Sequence, residues 1–240
     1  MILVRLKSTK DGKVRFTSHR DVARVWERSL RMAGVPMVYS EGFSPRPRIA
    51  FGLALPTGSE SNGEYIDIQL DDQRPRDFEI VDLPQLLTEA LPPGLAVCGV
   101  AILEPRTQSL QQAVTSCEWD ITVNQTIDEL NNWTKQVLAA PSIVVTRERK
   151  GKQVTDDLRP FIRSLEVVEP QSGEDGPVLH AELVTQPRSL RPAELLLAIE
   201  PHLTERRLRR RFQWIEQDGA RLDPLEVGAA PVPHTTVCAS

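Results

Sequence analysis

The stretch Ser18-His-Arg-Asp-Val-Ala-Arg-Val-Trp-Glu-Arg-Ser-Leu-Arg-Met-Ala-Gly34 decides the reading of this chain. Val22, Val25, Trp26, Ser29, Leu30 and Ala33 recur at helical spacing, which predicts an amphipathic helix from 19 to 33. Ser18 reads as its N-cap, since a short hydroxyl side chain can accept from an unpaired N–H of the first turn. Asp21, three residues on, completes a capping-box-like pattern. Gly34 permits the left-handed stop, and Pro36 cannot continue the helix. The opposite face holds Arg20, Arg24, Glu27, Arg28 and Arg31. The four arginines lie in a stripe nearly parallel to the axis, and like charges at i,i+4 cost roughly a few tenths of a kcal/mol per pair. An external anion, or acids such as Glu27, would offset that cost.

Strand patterns flank this helix. Residues 2–7 and 13–17 read as a hairpin or a bulged strand around Lys10-Asp-Gly-Lys13. Pro36–Tyr39 reads as a short strand, Ile49–Leu55 as a buried one, and Glu64–Leu70 alternates cleanly. Residues 82–91 read as a helix stopped by Pro92-Pro-Gly94, and Leu95–Leu103 as a closing strand. The order is β-α-β-β-α-β. Residues 105–116 read as a linker, with a short helix as the alternative. The order then recurs: strand Cys117–Val123, helix Thr126–Leu138, strands Ile143–Glu148, Leu165–Val168 and Val178–Val184, helix Pro192–Ile199 and strand Leu208–Glu216. The expected fold is therefore α+β, two tandem ferredoxin-like (βαββαβ) units at 1–104 and 117–219, with a flexible tail at 220–240.

The 240 residues are 40% apolar and 26% charged, with 19 Pro and 13 Gly, values that exclude collagen, coiled coil and a wholly disordered chain. No apolar run approaches a membrane span, and the start breaks after three apolar residues, unlike a signal peptide. Cys98, Cys117 and Cys238 are widely spaced and odd in number, which reads as reduced cysteines in a cytoplasmic protein. The net charge of −4 hides an asymmetry: residues 1–50 hold eleven Lys or Arg against four acids, a local +7, so the other 190 residues carry −11. A basic block on an acidic body points to one face that meets an anion.

The sequence has no P-loop, GxGxxG, HExxH or GxSxG motif, and its four histidines show no ligand spacing. No metal and no cofactor are expected. The densest polar group comprises His19, Asp21, the arginine stripe and the 40–48 loop. His19 opens a helix directly after a strand, where the helix dipole and nearby guanidiniums favour a neutral imidazole. With Asp21 beside it, it is the candidate catalytic residue, a general base on an RNA 2′-hydroxyl; the plainer role is to hold the loop. Phe43, Arg46 and Arg48 sit in a proline-stiffened loop, where the arginines can hold phosphates and Phe43 can stack on a base or plug the core. The RNA- or anion-binding set is thus Arg20, Arg24, Arg28, Arg31, Phe43, Arg46 and Arg48. A second basic cluster, Arg206–Phe212, reads as a charged, solvated edge strand.

Residues Gly12–Asp21, Arg24–Ala33, Val35-Pro36, Tyr39–Ile49, Leu55–Ser61 and Glu64–Asp67 resemble the radical-SAM-associated bacterial domain of unknown function. Weaker echoes are Asp157-Leu-Arg-Pro160 with Ile162, and Ser189-Leu-Arg-Pro-Ala-Glu194. The resemblance covers most of residues 1–200. It implies a separately encoded radical-SAM partner, because this chain has no such module of its own, and it implies RNA modification as the setting. The chain departs from the family pattern at Gln186-Pro-Arg-Ser189, which lacks the expected turn glycine. Three readings follow. The first is an accessory protein, inactive on its own, that binds tRNA or rRNA and presents it to the radical-SAM partner. The second is a protein-interaction module that docks on that enzyme without RNA contact. The third is a metal-free endoribonuclease-like enzyme using His19, by fold-level analogy.

Overall fold

Alternation along Ile2–Lys10 (β1) sends Val4 and Leu6 to one side of a sheet and Arg5 and Lys7 to the other. The computed structural model describes residues 1–75, 77–149, 151–169, 176–229 and 235–236. After β1 come α1 (His19–Met32), β2 (Ile49–Phe51), β3 (Glu60–Leu70), α2 (Leu83–Ala90), β4 (Leu95–Leu103) and α3 (Leu110–Ala113). They are followed by β5 (Ser116–Val123), α4 (Ile127–Ala139), the hairpin β6 (Val144–Arg149) and β7 (Lys152–Asp157), β8 (Ile162–Val168) and β9 (Val178–Val184). The last elements are α5 (Pro192–Leu196), β10 (Glu205–Gln217) and β11 (Ala220–Leu222). The result is a mixed α/β protein dominated by a large, mostly antiparallel sheet with few helices. Among the described residues no helix is long and apolar enough to cross a membrane.

The chain divides into two units, residues 1–114 with 213–240, and residues 115–212. In the first, β1 lies between β4 and β3, and β2 pairs with β3, all antiparallel. Trp26 and Leu30 of α1 and Leu83 and Leu87 of α2 join Val4, Leu6, Ile66 and Ile68 in one buried cluster. In the second, the order is β10-β5-β9-β8, and among the described residues β6 and β7 pair only with each other. There α4 buries Leu130, Trp133 and Val137.

Several local expectations change. Residues 13–17 are not a strand: Gly12–Phe16 is a 3₁₀ turn, because β3 and β4 already take both edges of β1 and Gly12 turns the chain at φ +63°. Pro36–Tyr39 makes only single bridges, Met37 to Leu70 and Tyr39 to Pro47. The expected buried strand at Ile49–Leu55 shortens to three residues that are not fully buried. β7 is an extra strand, and 105–116 contains α3, which buries Leu110 and Ala113. Cys98 is disulfide-bonded whereas Cys117 is a free buried thiol, which corrects the expectation of reduced cysteines at Cys98. In the tail expected at 220–240, β11 pairs with β10, and Leu225 is buried; residues 230–234 and 237–240 lie outside the described residues.

The second face of the β1–β3 ladder is polar yet closed. Arg5 is fully buried, with Nε and Nη2 donating to the two carboxylate oxygens of Asp67 at 2.7 and 2.8 Å. Its Nη1 donates to the Pro224 carbonyl at 3.0 Å. Asp223 accepts from Lys7 Nζ at 2.7 Å and from the Tyr65 hydroxyl at 2.9 Å. Burial first, then the Asp223 carboxylate, pushes the Tyr65 hydroxyl far above its usual pKa. Leu225 sits so close to Gly99 that an added Cβ there would lie 2.6 Å from its Cδ1.

Removing one partner of a buried pair strands the other charge. Asp67→Ala should therefore destabilise the protein by about 3–5 kcal/mol in urea unfolding, the range for breaking such a pair. A second prediction concerns α4, where the Thr126 N–H donates to Glu129 at 2.7 Å and the Thr126 hydroxyl at 2.8 Å, completing a capping box. The backbone bond, then the hydroxyl bond, holds the Glu129 carboxyl below its usual pKa. A depressed carboxylate stabilises the fold above its unfolded pKa, and that contribution is lost as pH falls through the lower, folded value. Glu129→Gln should therefore differ most from wild type at neutral pH and converge on it in acid, as read by thermal melts across pH.

Candidate functional site

α1 forms for local reasons. The Ser18 hydroxyl accepts from the Asp21 N–H at 3.3 Å and donates to the Asp21 carboxylate at 2.7 Å. At the far end Gly34 N–H donates to the Arg31 carbonyl and Val35 N–H to the Leu30 carbonyl, the paired bonds of a Schellman stop, with Gly34 at φ +66°. Trp26, Ser29 and Leu30 are buried on the sheet side, so helical geometry turns the arginines outward. Arg20, Arg24, Arg28 and Arg31 are all exposed. Arg24 pairs with Asp21 at 3.2 Å, while Arg20, Arg28 and Arg31 have no ion pair among the described residues.

The 40–48 loop is closed by its own backbone. Ser40 N–H donates to the Arg46 carbonyl at 2.9 Å, and Arg48 N–H donates to the Val38 carbonyl at 2.9 Å. The Ser40 hydroxyl accepts from the Arg46 N–H at 3.1 Å. Pro47 is buried and anchors the base of the loop, whereas Phe43 at its tip is fully exposed. Of the two roles open to Phe43, plugging the core is thereby excluded. Arg46 and Arg48 are exposed, and Arg48 reaches Gln69 at 3.5 Å.

His19 and Asp21 face different neighbours. The Asp21 carboxylate serves Ser18 and Arg24. The His19 ring stands edge-on to Phe51, with centroids 5.4 Å apart. Beneath it opens a pocket whose polar lining comes from Ser8, Lys10, His19 and Glu64. Phe51 follows Arg48 by three residues, about 10 Å of extended chain.

Two features escaped the sequence reading. Phe16 is exposed, with the Arg15 guanidinium 4.7 Å above its ring. Lys10 and Glu60 are buried charges, with Lys10 donating to the Thr17 carbonyl and Glu60 accepting from Arg15. In the second unit, the basic run at 206–212 is not wholly solvated: Arg210 is buried, its guanidinium 5.5 Å from the Trp119 ring. Arg211 reaches Asp120 at 3.7 Å, and Asp120 also contacts His180 Nδ1. Burial raises the Asp120 pKa despite the opposing charges of His180 and Arg211. The atypical turn at 186–189 is anchored by Arg188, which contacts Glu194 and lies 3.3 Å from Asp156.

A ring that touches nothing contributes nothing to the fold. Phe43→Ala should leave unfolding within about 0.5 kcal/mol of wild type, as measured in urea, so a large loss would mean that the ring packs inside.

No curated protein matches the sequence. Residues 4–192 match the family described as an uncharacterised protein conserved in bacteria, DUF2344, and since that span covers well over half of the 240 residues, the chain belongs to this bacterial family.

Proposed function

We propose that this protein binds structured RNA, tRNA or rRNA, through the outer face of α1 and the 40–48 loop, and presents it to a separately encoded radical-SAM enzyme. The observation that carries the RNA reading is the trio Arg20, Arg28 and Arg31, exposed on one helix face without ion pairs among the described residues, in a chain of net charge −4. Surface arginines kept unpaired beside one another hold phosphate well, because the guanidinium fork matches its oxygens. Phe43 adds an exposed ring on a closed loop, a suitable stacking platform for an unpaired base. The partner rests on the resemblance of residues 12–67 to radical-SAM-associated domains.

The same reading takes each unit as a ferredoxin-like module. Its support is strand order. The first unit runs β4-β1-β3-β2, and the second runs β10-β5-β9-β8 with β6–β7 as an inserted hairpin. Both are the order 4-1-3-2 of a split βαβ repeat. In the first unit the sheet face that such modules often offer to RNA is covered by Asp223–Leu225, which leaves the helix face as the basic surface.

The test is binding of bulk tRNA by fluorescence anisotropy at 50 and 200 mM salt. Four phosphate contacts would lower affinity about 10²-fold across that range. Arg28→Glu with Arg31→Glu should weaken binding and reduce the salt slope by about two. Absence of binding at the lower salt would overturn the RNA reading and make the arginine face a docking surface for protein acids.

A further inference from the structure

The hairpin β6–β7, in the second unit, takes no part in the contacts proposed above. Among the described residues its strands pair only with each other, from Val144 opposite Asp157 to Arg149 opposite Lys152. Six residues per strand make a ribbon of about 20 Å. Its base is held by the fold. Ile143 and Leu158 are buried, and the Leu158 N–H donates to the Ile143 carbonyl at 2.8 Å. Asp157 accepts from the Ile143 and Arg159 N–H groups at 2.8 and 3.0 Å. Asp156 accepts from Arg147 at 3.0 Å and lies 3.3 Å from Arg188. Farther out, Thr146, Glu148, Gln153 and Thr155 are exposed.

Charge is sorted along this ribbon. Both acids of β7 stand at the base, where the contacts just given engage them. The sequence at the other end, 149–152, is Arg-Lys-Gly-Lys, three cations and no acid. The ladder sets Arg149 directly opposite Lys152, and like charges in that relation destabilise an antiparallel pair. Glu148, the neighbouring acid, stands opposite Gln153 and so belongs to the other face of the ribbon. A two-stranded ribbon is marginal by itself. A repulsive closing pair adds a cost that an external anion would offset.

We infer that the end of this hairpin contacts the phosphates of a double-helical RNA segment, a contact separate from α1 that rests on the RNA reading above. Residues 146–155 contain no aromatic side chain and one aliphatic one, Val154, which is half-buried. A protein partner is held through aromatic and large apolar anchors. A single strand is held through rings that stack on its bases. The ribbon offers instead cations beside threonine and glutamine, the groups that meet phosphate and sugar oxygens. Duplex RNA is recognised through those oxygens, by shape and without base readout, across a minor groove wide and shallow enough for a ribbon two strands across.

The experiment measures anisotropy of the full chain with a labelled RNA duplex of about 16 base pairs, and with one of its strands alone, between about 50 and 200 mM salt. The duplex should bind more tightly than the strand. Arg149→Gln with Lys152→Gln should reduce the duplex salt slope by about two, so that the loss of affinity across that range shrinks about tenfold. Lys152→Gln alone, with a slope change of about one, serves if circular dichroism shows that the double variant does not fold. An unchanged slope in the folded variant overturns the hairpin contact, and spares the α1 reading if Arg28→Glu with Arg31→Glu still lowers the slope. A single strand bound as tightly as the duplex also overturns the inference. Failure of both RNAs to bind overturns the RNA reading and the hairpin contact with it.

Discussion

The buried pair of Arg5 and Asp67 is the constraint on which the first unit depends. A guanidinium removed from water needs hydrogen-bonded nitrogens, and here Nε and Nη2 donate to Asp67 and Nη1 to the Pro224 carbonyl. The pair fixes register, because Arg5 must stand opposite Asp67, as it does in the β1–β3 ladder. A one-residue slip would turn Val4 and Leu6 out of the core and bury nothing in their place. It also demands a cover. The segment after β11 supplies one, with Asp223 meeting Lys7 and Tyr65 and Leu225 filling the space above Gly99. Closing that face leaves the outer side of α1 as the exposed cationic surface of the unit.

This dependence explains what the sequence disclosed and what it hid. Helix α1 was legible to within a residue, because its cap, its apolar period and its stop all agree, and agreement across levels is what specifies a structure. Strands β4 and β9 were legible in full, since each is an uninterrupted apolar or alternating run bounded by turns. Gly12–Phe16 was misread because Val14 and Phe16 alternate as a strand would. Only the occupancy of both β1 edges, a tertiary fact, forbids the pairing. β7 was hidden because Lys152–Asp157 is polar and pairs with β6 alone, so no buried face imposes a pattern on it.

The candidate site divides along the same line. The arginine stripe could be read from spacing, because charge on the far side of an amphipathic helix must face out. The exposure of Phe43 could not, because it depends on Pro47 rather than Phe43 anchoring the loop. Nor could the pocket below His19, since Ser8, Lys10 and Glu64 look in sequence like ordinary polar positions near strand ends. The pairing of His19 with Asp21 was a reading of adjacency. Helical geometry sets residues two apart on different faces, and capping claims Asp21 for Ser18.

The charge distribution has a consequence for how an anion would arrive. The first 50 residues carry +7 and the rest −11, so at long range the molecule repels a polyanion, while near α1 it attracts one. Screening decides which is felt. At physiological salt the Debye length is about 8 Å, shorter than α1 itself, so acids farther than that from the stripe are largely screened. At low salt the acids are felt, and they disfavour approach by any route that does not lead to the basic face. For any polyanion that met the arginine stripe, the acidic excess would give orientation rather than affinity.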